Sequence, residues 1–419
     1  MLERALRSIP LGTQTFSKSY IHYPRGAAPF FVERAQGSRV WDVDGNEYVD
    51  FVNALNAITL GHCDPDVSAA VQEMMARGTI FSLSHPVEIE VAEKIIELVP
   101  CAERVRFGKN GSDATAGSIR AARAFTGRDR VAVCGYHGWQ DWYIGSTARN
   151  KGVPGATRAL THGFLYNDLA SLEAVLSTHP GEFAAVILEP MNSTWPARGF
   201  LAGVVELAHA HGALAVFDET ITGFRFAPGG AQQYFGVTPD LSSFGKALAN
   251  GYPLAAVAGR ADVMREFEDV FFSFTMGGET LSLAAAKAAM DKIERDHVTE
   301  ALEHRGRQLM TAVEDCIARH GCGDFLALSG HPSWSFLSIK DAGGLGSYDI
   351  RTLYLQEIFA RGILSLGTHN MSFAHSEEDV ALLAAAYDEV FPILRSAVER
   401  GSVANLLRCA PLEPLFKVR

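Results

Sequence analysis

No apolar run in this chain approaches the roughly 18–20 residues that a membrane span takes. Its first stretch, MLERALRSIPLGTQTFSK, carries charges where a secretory signal needs an apolar core, so no such signal is read there. There is no basic block and no RNA-binding signature. A net charge of −11 further argues against nucleic acid or an anionic membrane as the main partner. Cysteine is sparse: Cys63, Cys101, Cys134, Cys316, Cys322 and Cys409 are scattered without a CxxC pair, and read as mostly buried thiols of a reducing compartment. The cytoplasm is therefore the expected location. The phosphate loops GxxxxGK-Ser/Thr and a strand-following GxGxxG are both missing, which leaves nucleotide binding without support. Metal ligation has no better basis. His209 and His211 in AHAHG lie two apart, which on a helix does not aim both at one ion, and GHC (61–63) has no partner pair at ligand spacing. No metal is expected.

Internal repeats, low-complexity tracts and charged linkers are absent as well. What is present is 419 residues, 47% hydrophobic and 20% charged, enough to bury a large core in two domains or in one domain with an accessory. Helical and strand-like segments alternate, which predicts an α/β architecture with a mainly parallel sheet. SRVWDVDGNEYVDF (38–51) predicts a hairpin turning at Asp44-Gly45. HPVEIEVAEKIIELVP predicts a helix with Val91, Ile95, Ile96 and Val99 on one face. Short apolar strands are expected at 130–136, 183–190, 213–219 and 253–260. Beyond about residue 290 the texture shifts to longer amphipathic helices, which marks a boundary at 285–300.

Several of these strands end in residues with chemical potential: Tyr136-His137-Gly138, Glu189-Pro190 and Asp218-Glu219. Ligands of open α/β sheets bind beyond the carboxyl ends of the parallel strands, so these side chains should converge. Each also has a plainer reading: a core tyrosine, an exposed loop glutamate, a helix-capping aspartate. Lys246 follows the next segment, in DLSSFGKALANGYPLAAVAGR (240–260), with Asp240 and Arg260 as its nearest formal charges. Such a lysine is either a snorkelling surface residue or a secluded amine. In FGKNGSDATAGSIRAARAFTG (107–127), Gly108, Gly111 and Ser112 stand at the start of an alanine-rich helix. Its N–H groups and dipole suit a phosphate, although Asp113 can equally be read as first-turn stabilisation. A phosphate cradle, an aromatic platform, a buried carboxylate and a secluded lysine are together the parts that hold pyridoxal phosphate.

With these residues in hand the sequence resembles the class III aminotransferases, fold-type I pyridoxal phosphate enzymes, and most closely their glutamate-1-semialdehyde aminomutase-like branch. The resemblance runs between about residues 10 and 395. It rests on DVDGNEYVDF, NGSDATAGSIRAAR, YHGWQDW, ILEP, FDETITGFRF and FGKALANGYPLAAVAGR. It implies a large cofactor-binding domain at 55–290 and a smaller α+β domain built from the N-terminal segment 1–54 and the C-terminal segment 291–419. It implies Lys246 as the Schiff-base lysine, Asp218 as partner of the pyridine nitrogen, Gly111 and Ser112 as phosphate ligands and Tyr136 as the ring-stacking residue. Thr220 stands where the family usually has a valine on the other ring face, and Glu189 matches a site-lining or structural glutamate. Thr275 matches a threonine that reaches the partner subunit's phosphate, which implies a homodimer with shared active sites.

The departures bear on the reaction. After YHGWQDWYIGST the chain lacks the longer Gly/Ser-rich gating segment of the aminomutases, which favours an aminotransferase that releases its keto product. Lys18 occupies the place of a substrate-carboxylate arginine, with Arg25 as a second anion contact, and lysine lacks the planar fork of arginine. His369 and Asn370, in GILSLGTHNMSFAHSEEDV, are expected to line the site, or else to be hydrogen-bonded loop residues. The implied activity is a ping-pong transfer of an amino group from an amino acid donor to a keto or aldehyde acceptor, with a sugar or sugar acid among the acceptors the resemblance allows. An aminomutase or a racemase on the same scaffold stays open, as does a non-catalytic cofactor-binding regulatory protein.

Overall fold

A computed structural model describes residues 1–413. The chain forms two compact units. One comprises Met1–Leu55, Leu60–Asp64 and the described residues from Ala301 onward, and the other Asn56–Thr59 with Pro65–Glu300. Residues 414–419 of the expected C-terminal segment lie outside the described residues.

The larger unit is built on seven strands: β1 (Arg104–Gly108), β2 (Arg130–Cys134), β3 (Thr161–Gly163), β4 (Phe183–Leu188), β5 (Leu214–Glu219), β6 (Leu241–Phe244) and β7 (Ala255–Gly259). They lie in the order β1-β7-β6-β5-β4-β2-β3. Neighbours from β6 through β3 pair in parallel, while β7 runs antiparallel to both β6 and β1. The connection 245–254 explains the reversal. It is shorter than the dozen or so residues of a parallel crossover, so the chain turns straight back.

Every residue of β4 and β5 is buried, as expected for parallel strands covered on both faces. Side chains alternate between two cores. Val131, Val133, Ala185, Ile187, Leu214 and Val216 face one side, with Ala114, Ile119, Ala121 and Ala122. Ala132, Val186, Leu188, Ala215 and Phe217 face the other, with Phe200, Leu201 and Val204. The two-residue period thus assigns Asp218, in step with Leu214 and Val216, to the first side, and Glu219 to the second.

Five helices of this unit matter below: α1 (Pro65–Met75), α2 (Pro86–Leu98), α3 (Gly111–Thr126), α4 (Phe200–Ala210) and α5 (Thr280–Arg295). The alanines of the first core belong to α3 and its Phe200-Leu201-Val204 counterpart to α4. At the start of α2, Val87 N donates to His85 Nδ1 and His85 N donates to Glu88 Oε1, with Pro86 at the first helical position. Val87, Val91 and Ile95 are buried from α2, and Val99 just beyond it, but Ile96 is 39% exposed. The expected four-residue face is corrected to the i, i+4 row. Ile96 sits about 100° around the helix from Ile95, off that row.

In the smaller unit the expected hairpin forms from Arg39–Asp42 and Glu47–Asp50. The Asp42 carboxylate accepts from the backbone N–H groups of Asp44 and Asn46 and from Asn46 Nδ2, closing the turn around Gly45. Ile363–Leu364 joins this sheet in parallel with Glu47–Asp50. A separate antiparallel sheet holds Leu326–His331, Trp334–Ile339 and Thr368–Asn370. Among the described residues, no helix is long and apolar enough to cross a membrane.

The corrected face of α2 is testable. Ile95→Ala is expected to destabilise the larger unit by about 2–4 kcal/mol and Ile96→Ala by no more than about 0.5 kcal/mol, read from urea unfolding of the two variants.

Candidate active site

Because β2, β4, β5 and β6 are neighbours running the same way, Tyr136, Glu189, Asp218 and Lys246 all leave the sheet at one edge. The start of α3 meets them there. A Cβ on Gly111 would come within 2.7 Å of the Thr220 methyl, so only glycine allows that approach. A Cβ on Gly245 would lie 3.4 Å from the same methyl and 3.7 Å from the Gly111 Cα. The residue before Lys246, the residue after β5 and the first residue of α3 therefore touch. Gly138 completes the cradle: its φ of +101° and a would-be Cβ contact of 2.5 Å with Ser112 Oγ exclude a side chain there. Asp113 accepts from Asn110 N at 2.8 Å and Lys109 N at 3.1 Å, so it serves the helix start, where the helix dipole is positive.

Asp218 is buried, yet its carboxylate is well supplied with donors. Oδ1 accepts from Thr220 Oγ1 at 2.6 Å and from Thr220 N at 3.1 Å, and Ser243 Oγ stands at 3.5 Å. Oδ2 is bonded to His137 Nδ1 at 2.9 Å. Burial by itself pushes this carboxyl up, but the hydrogen bonds from His137 and Thr220 outweigh it and hold the group below the ordinary carboxylate range. His137 is buried too, stacked on Trp142 and edge-on to Tyr143, and its Nε2 is buried without a hydrogen-bond partner among the described residues.

Lys246 is half-buried in a stretch whose flanking residues are buried, and it opens a single turn of 3-10 helix. Its φ of +46° is rare for a residue with a side chain and strained by about 1–3 kcal/mol, a strain that such sites hold in place through their surroundings. Tyr136 is half-buried and meets Tyr143 edge-on at 5.7 Å. Glu189 is buried, and its Oε2 accepts from Tyr136 N at 2.9 Å and Asn192 Nδ2 at 3.0 Å, so it fixes the backbone that carries the Tyr136 ring. Thr275 is exposed on the segment that leads into α5.

The remaining candidates belong to the smaller unit. Lys18 is exposed at the border of a cavity of about 340 Å³ that Tyr20, Tyr23, Asp42, Asp50 and His62 also line. Arg25 is exposed, its guanidinium 6.0 Å from the Tyr20 ring centre. His369 and Asn370 are both buried and hydrogen-bonded within the smaller unit. His369 is fully buried, with Nδ1 at 2.8 Å from Ser335 Oγ and Nε2 at 2.7 Å from the Tyr387 hydroxyl, and burial pushes its pKa down to about 3. Asn370 is buried and donates from Nδ2 to the Val52 carbonyl at 2.6 Å, while its own carbonyl accepts from Asn53 Nδ2. His369 thus links its strand to the neighbouring strand at Ser335 and to Tyr387 of the helix Glu377–Arg400, and Asn370 links it to the segment 52–53 after the hairpin.

His137 and Ser243 are the members that sequence reasoning left without a role. The signal for His137 was its place in YHG at a strand end, and for Ser243 its step from Leu241 on the face of β6 that looks toward α3. The donor set suits one group in particular. A buried carboxylate held ionised matches a cationic ring nitrogen, a helix start behind two obligatory glycines matches a phosphate, and a primary amine beside them matches an aldehyde.

The model of the family described as aminotransferase class-III matches residues 21–324. The chain belongs to the class-III aminotransferases. It is a fold-type I enzyme whose cofactor is pyridoxal phosphate and whose activity is that of an aminotransferase. This class-III aminotransferase is 34% identical to the 3-aminobutyryl-CoA aminotransferase of Cloacimonas acidaminovorans (strain Evry), over 93% of this chain and 95% of that one. It is 35% identical to the glutamate-1-semialdehyde 2,1-aminomutase of Sorangium cellulosum (strain So ce56), over 93% and 94% of the two chains. Its fold is similar to that of the FumI protein of Sphingopyxis sp. MTA144 solved with pyridoxal phosphate, with a TM-score of 0.88 and 29% identity over 94% and 96%.

The buried histidines of the smaller unit give the aminotransferase a defined pH response. Burial lowers His369 to about 3 and His375 to about 4, whereas both titrate near 6.5 when unfolded. Below pH 6.5 the unfolded chain takes up protons that the native one refuses. Stability is thus complete above that value and falls as pH drops toward 4. Urea unfolding at pH 7 and pH 5 is expected to show His369→Gln losing roughly 2 kcal/mol less than the wild type over that interval.

Proposed function

We propose that this aminotransferase runs a ping-pong transfer between an amino acid donor and a keto or aldehyde acceptor, with Lys246 and Asp218 at its centre. The observation that carries the reading is the meeting of the Lys246 turn, the Asp218-Thr220 corner and the glycine start of α3 at one sheet edge. Gly111 and Ser112 bind the phosphate through N–H groups at the positive end of α3. Tyr136 would hold the cofactor ring by stacking, and Thr220 would close it in from the opposite side. Glu189 holds the Tyr136 backbone in place. Pyridoxal phosphate, when bound, supplies a carbonyl that takes up amines and a pyridinium ring that withdraws electrons from the carbon attached to them.

The chain's own residues do the rest. Asp218, kept ionised by His137 and Thr220, holds the proton at the ring nitrogen. Lys246 Nζ is the amine that would hold the cofactor and, once freed by a donor amine, would carry a proton at Nζ as general base and acid. Lys18 and Arg25 supply positive charge for an anionic group on the substrate.

Two further features belong to this reading. Phe271, Met276, Ile80 and Leu83 are exposed apolar residues of the larger unit, with exposed Thr275 on the same segment as Phe271 and Met276, and such apolar exposure supports a second copy covering it, hence a homodimer with shared sites. All six cysteines are free thiols, which supports a reducing compartment, the cytoplasm.

Two measurements test the assignment. Borohydride reduction of the loaded enzyme should leave cofactor mass on the peptide containing Lys246. Lys246→Ala should lose both this label and roughly 10²–10⁴-fold or more of the rate, and a label on another lysine would refute the role. Incubation with donor alone should release one equivalent of keto product. Migration of the amine within one molecule would instead establish an aminomutase, and exchange of the α-proton with the amine retained a racemase. Keto sugars belong in the acceptor panel beside simple keto acids and aldehydes.

A further inference from the structure

Where the helix Val298–Arg319 ends, three side chains converge on one oxygen of the helix Glu377–Arg400. Asp388 Oδ1 lies 2.5 Å from Arg319 Nη1, 2.7 Å from His320 Nε2 and 3.7 Å from Cys316 Sγ. A carboxylate oxygen offers about two lone pairs, so it cannot serve all three donors at once. Cys316 and His320 stand four apart. The hydrogen bond from His320 N to the Cys316 carbonyl, at 3.1 Å, carries the helical turn through both, so thiol and imidazole share one face. The histidines of AHAHG, two apart, lack that geometry. One ligand atom from each of Cys316, His320 and Asp388 lies within 4.8 Å of the other two. Ligand atoms of a tetrahedral zinc ion stand about 3.3–3.6 Å apart, within the 2.7 Å and 3.7 Å that separate Asp388 Oδ1 from the imidazole and the thiol.

We propose that Cys316, His320 and Asp388 form a site for a divalent transition-metal ion of the zinc type, which ties the two helices together with water at its fourth position. The thiol gives up its proton to solvent as the sulfur–metal bond forms, and the imidazole binds through Nε2. Arg319, whose side chain is 59% exposed, withdraws from Asp388 into water. Thiolate and carboxylate together then balance the two charges of the ion. Sulfur, imidazole and carboxylate suit zinc or cobalt, whereas magnesium and calcium take oxygen ligands. The site lies wholly in the smaller unit and does not depend on the roles given to Lys246 and Asp218.

The test uses the full-length holoenzyme, cleared of metal with a chelator and titrated with Zn²⁺ by calorimetry. One ion per chain should bind, with release of one proton to the buffer. His320→Gln and Asp388→Asn should each weaken that binding by about 100-fold or more. Arg319→Gln removes the competing cation and should tighten it roughly two- to fivefold, the worth of an exposed ion pair. An ion pair with no metal role would give no such gain. With Co²⁺ in place of zinc, the sulfur-to-cobalt band in the difference spectrum against metal-free enzyme should be present in wild type and lost in Cys316→Ser. Zinc should also raise the urea midpoint of the wild type but not that of His320→Gln, since only the native chain holds the ligands together. No uptake by the wild type, or an affinity unchanged in both His320→Gln and Asp388→Asn, would overturn the proposal. So would a wild-type cobalt spectrum in Cys316→Ser.

Discussion

A carboxylate buried at the end of a sheet strand must be given donors or lose its charge, and Asp218 is the point on which this molecule turns. Removing such a group from water without compensation is worth several kcal/mol of instability. The compensation comes from His137, Thr220 and Ser243, on three different segments. Those segments are then fixed relative to one another, and the fixing sets the rest of the site. Thr220 placed for its hydrogen bond puts its methyl against Gly111 and Gly245. The contact with Gly245 in turn sets where the next residue, Lys246, leaves the chain.

The short return from β6 to β7 acts on the same lysine from the other side. Because 245–254 joins two hydrogen-bonded antiparallel strands, the backbone at Lys246 is anchored at both ends. Travel of the amine between tether and proton carrier therefore falls to rotations of its own four-carbon stem. A left-handed φ at a residue with a Cβ is tolerable in that setting, since the neighbouring strands leave the turn little choice.

Much of this was legible in the residues. The apolar runs at 183–190 and 213–219 announce parallel strands because both of their faces are covered, and parallel strands bring their ends together. The strand-end carboxylate at 218 followed from composition and order, whereas the apolar company of Lys246 left it open between a surface stem and a secluded amine. Other features depend on distances along the chain that no local pattern encodes. His137 and Asp218 are separated by 81 positions, so a histidine in a turn gave no sign that its ring would meet that carboxylate. For His369 the residue type left two readings open, because its burial is set by the sheet that Trp334–Ile339 forms with it rather than by its neighbours in sequence. Ile96 was misread because a run of apolar residues in a helix hides which of them lies on the i, i+4 row. The backward run of β7 could be had only by measuring the loop before it.

One feature of the smaller unit reaches beyond catalysis. Its first strands come from the beginning of the chain, yet Ile363–Leu364, which extends their sheet, and the helices that follow are made last. On the ribosome, the hairpin at 39–50 must wait through the synthesis of the whole intervening unit before its neighbour strand exists. The seven-stranded unit has all of its sheet before residue 260 and can condense while that wait lasts. Vectorial synthesis thus leaves the amino-terminal hairpin as the exposed, unpaired edge of the nascent protein, the place where a chaperone or a wrong partner would find it first.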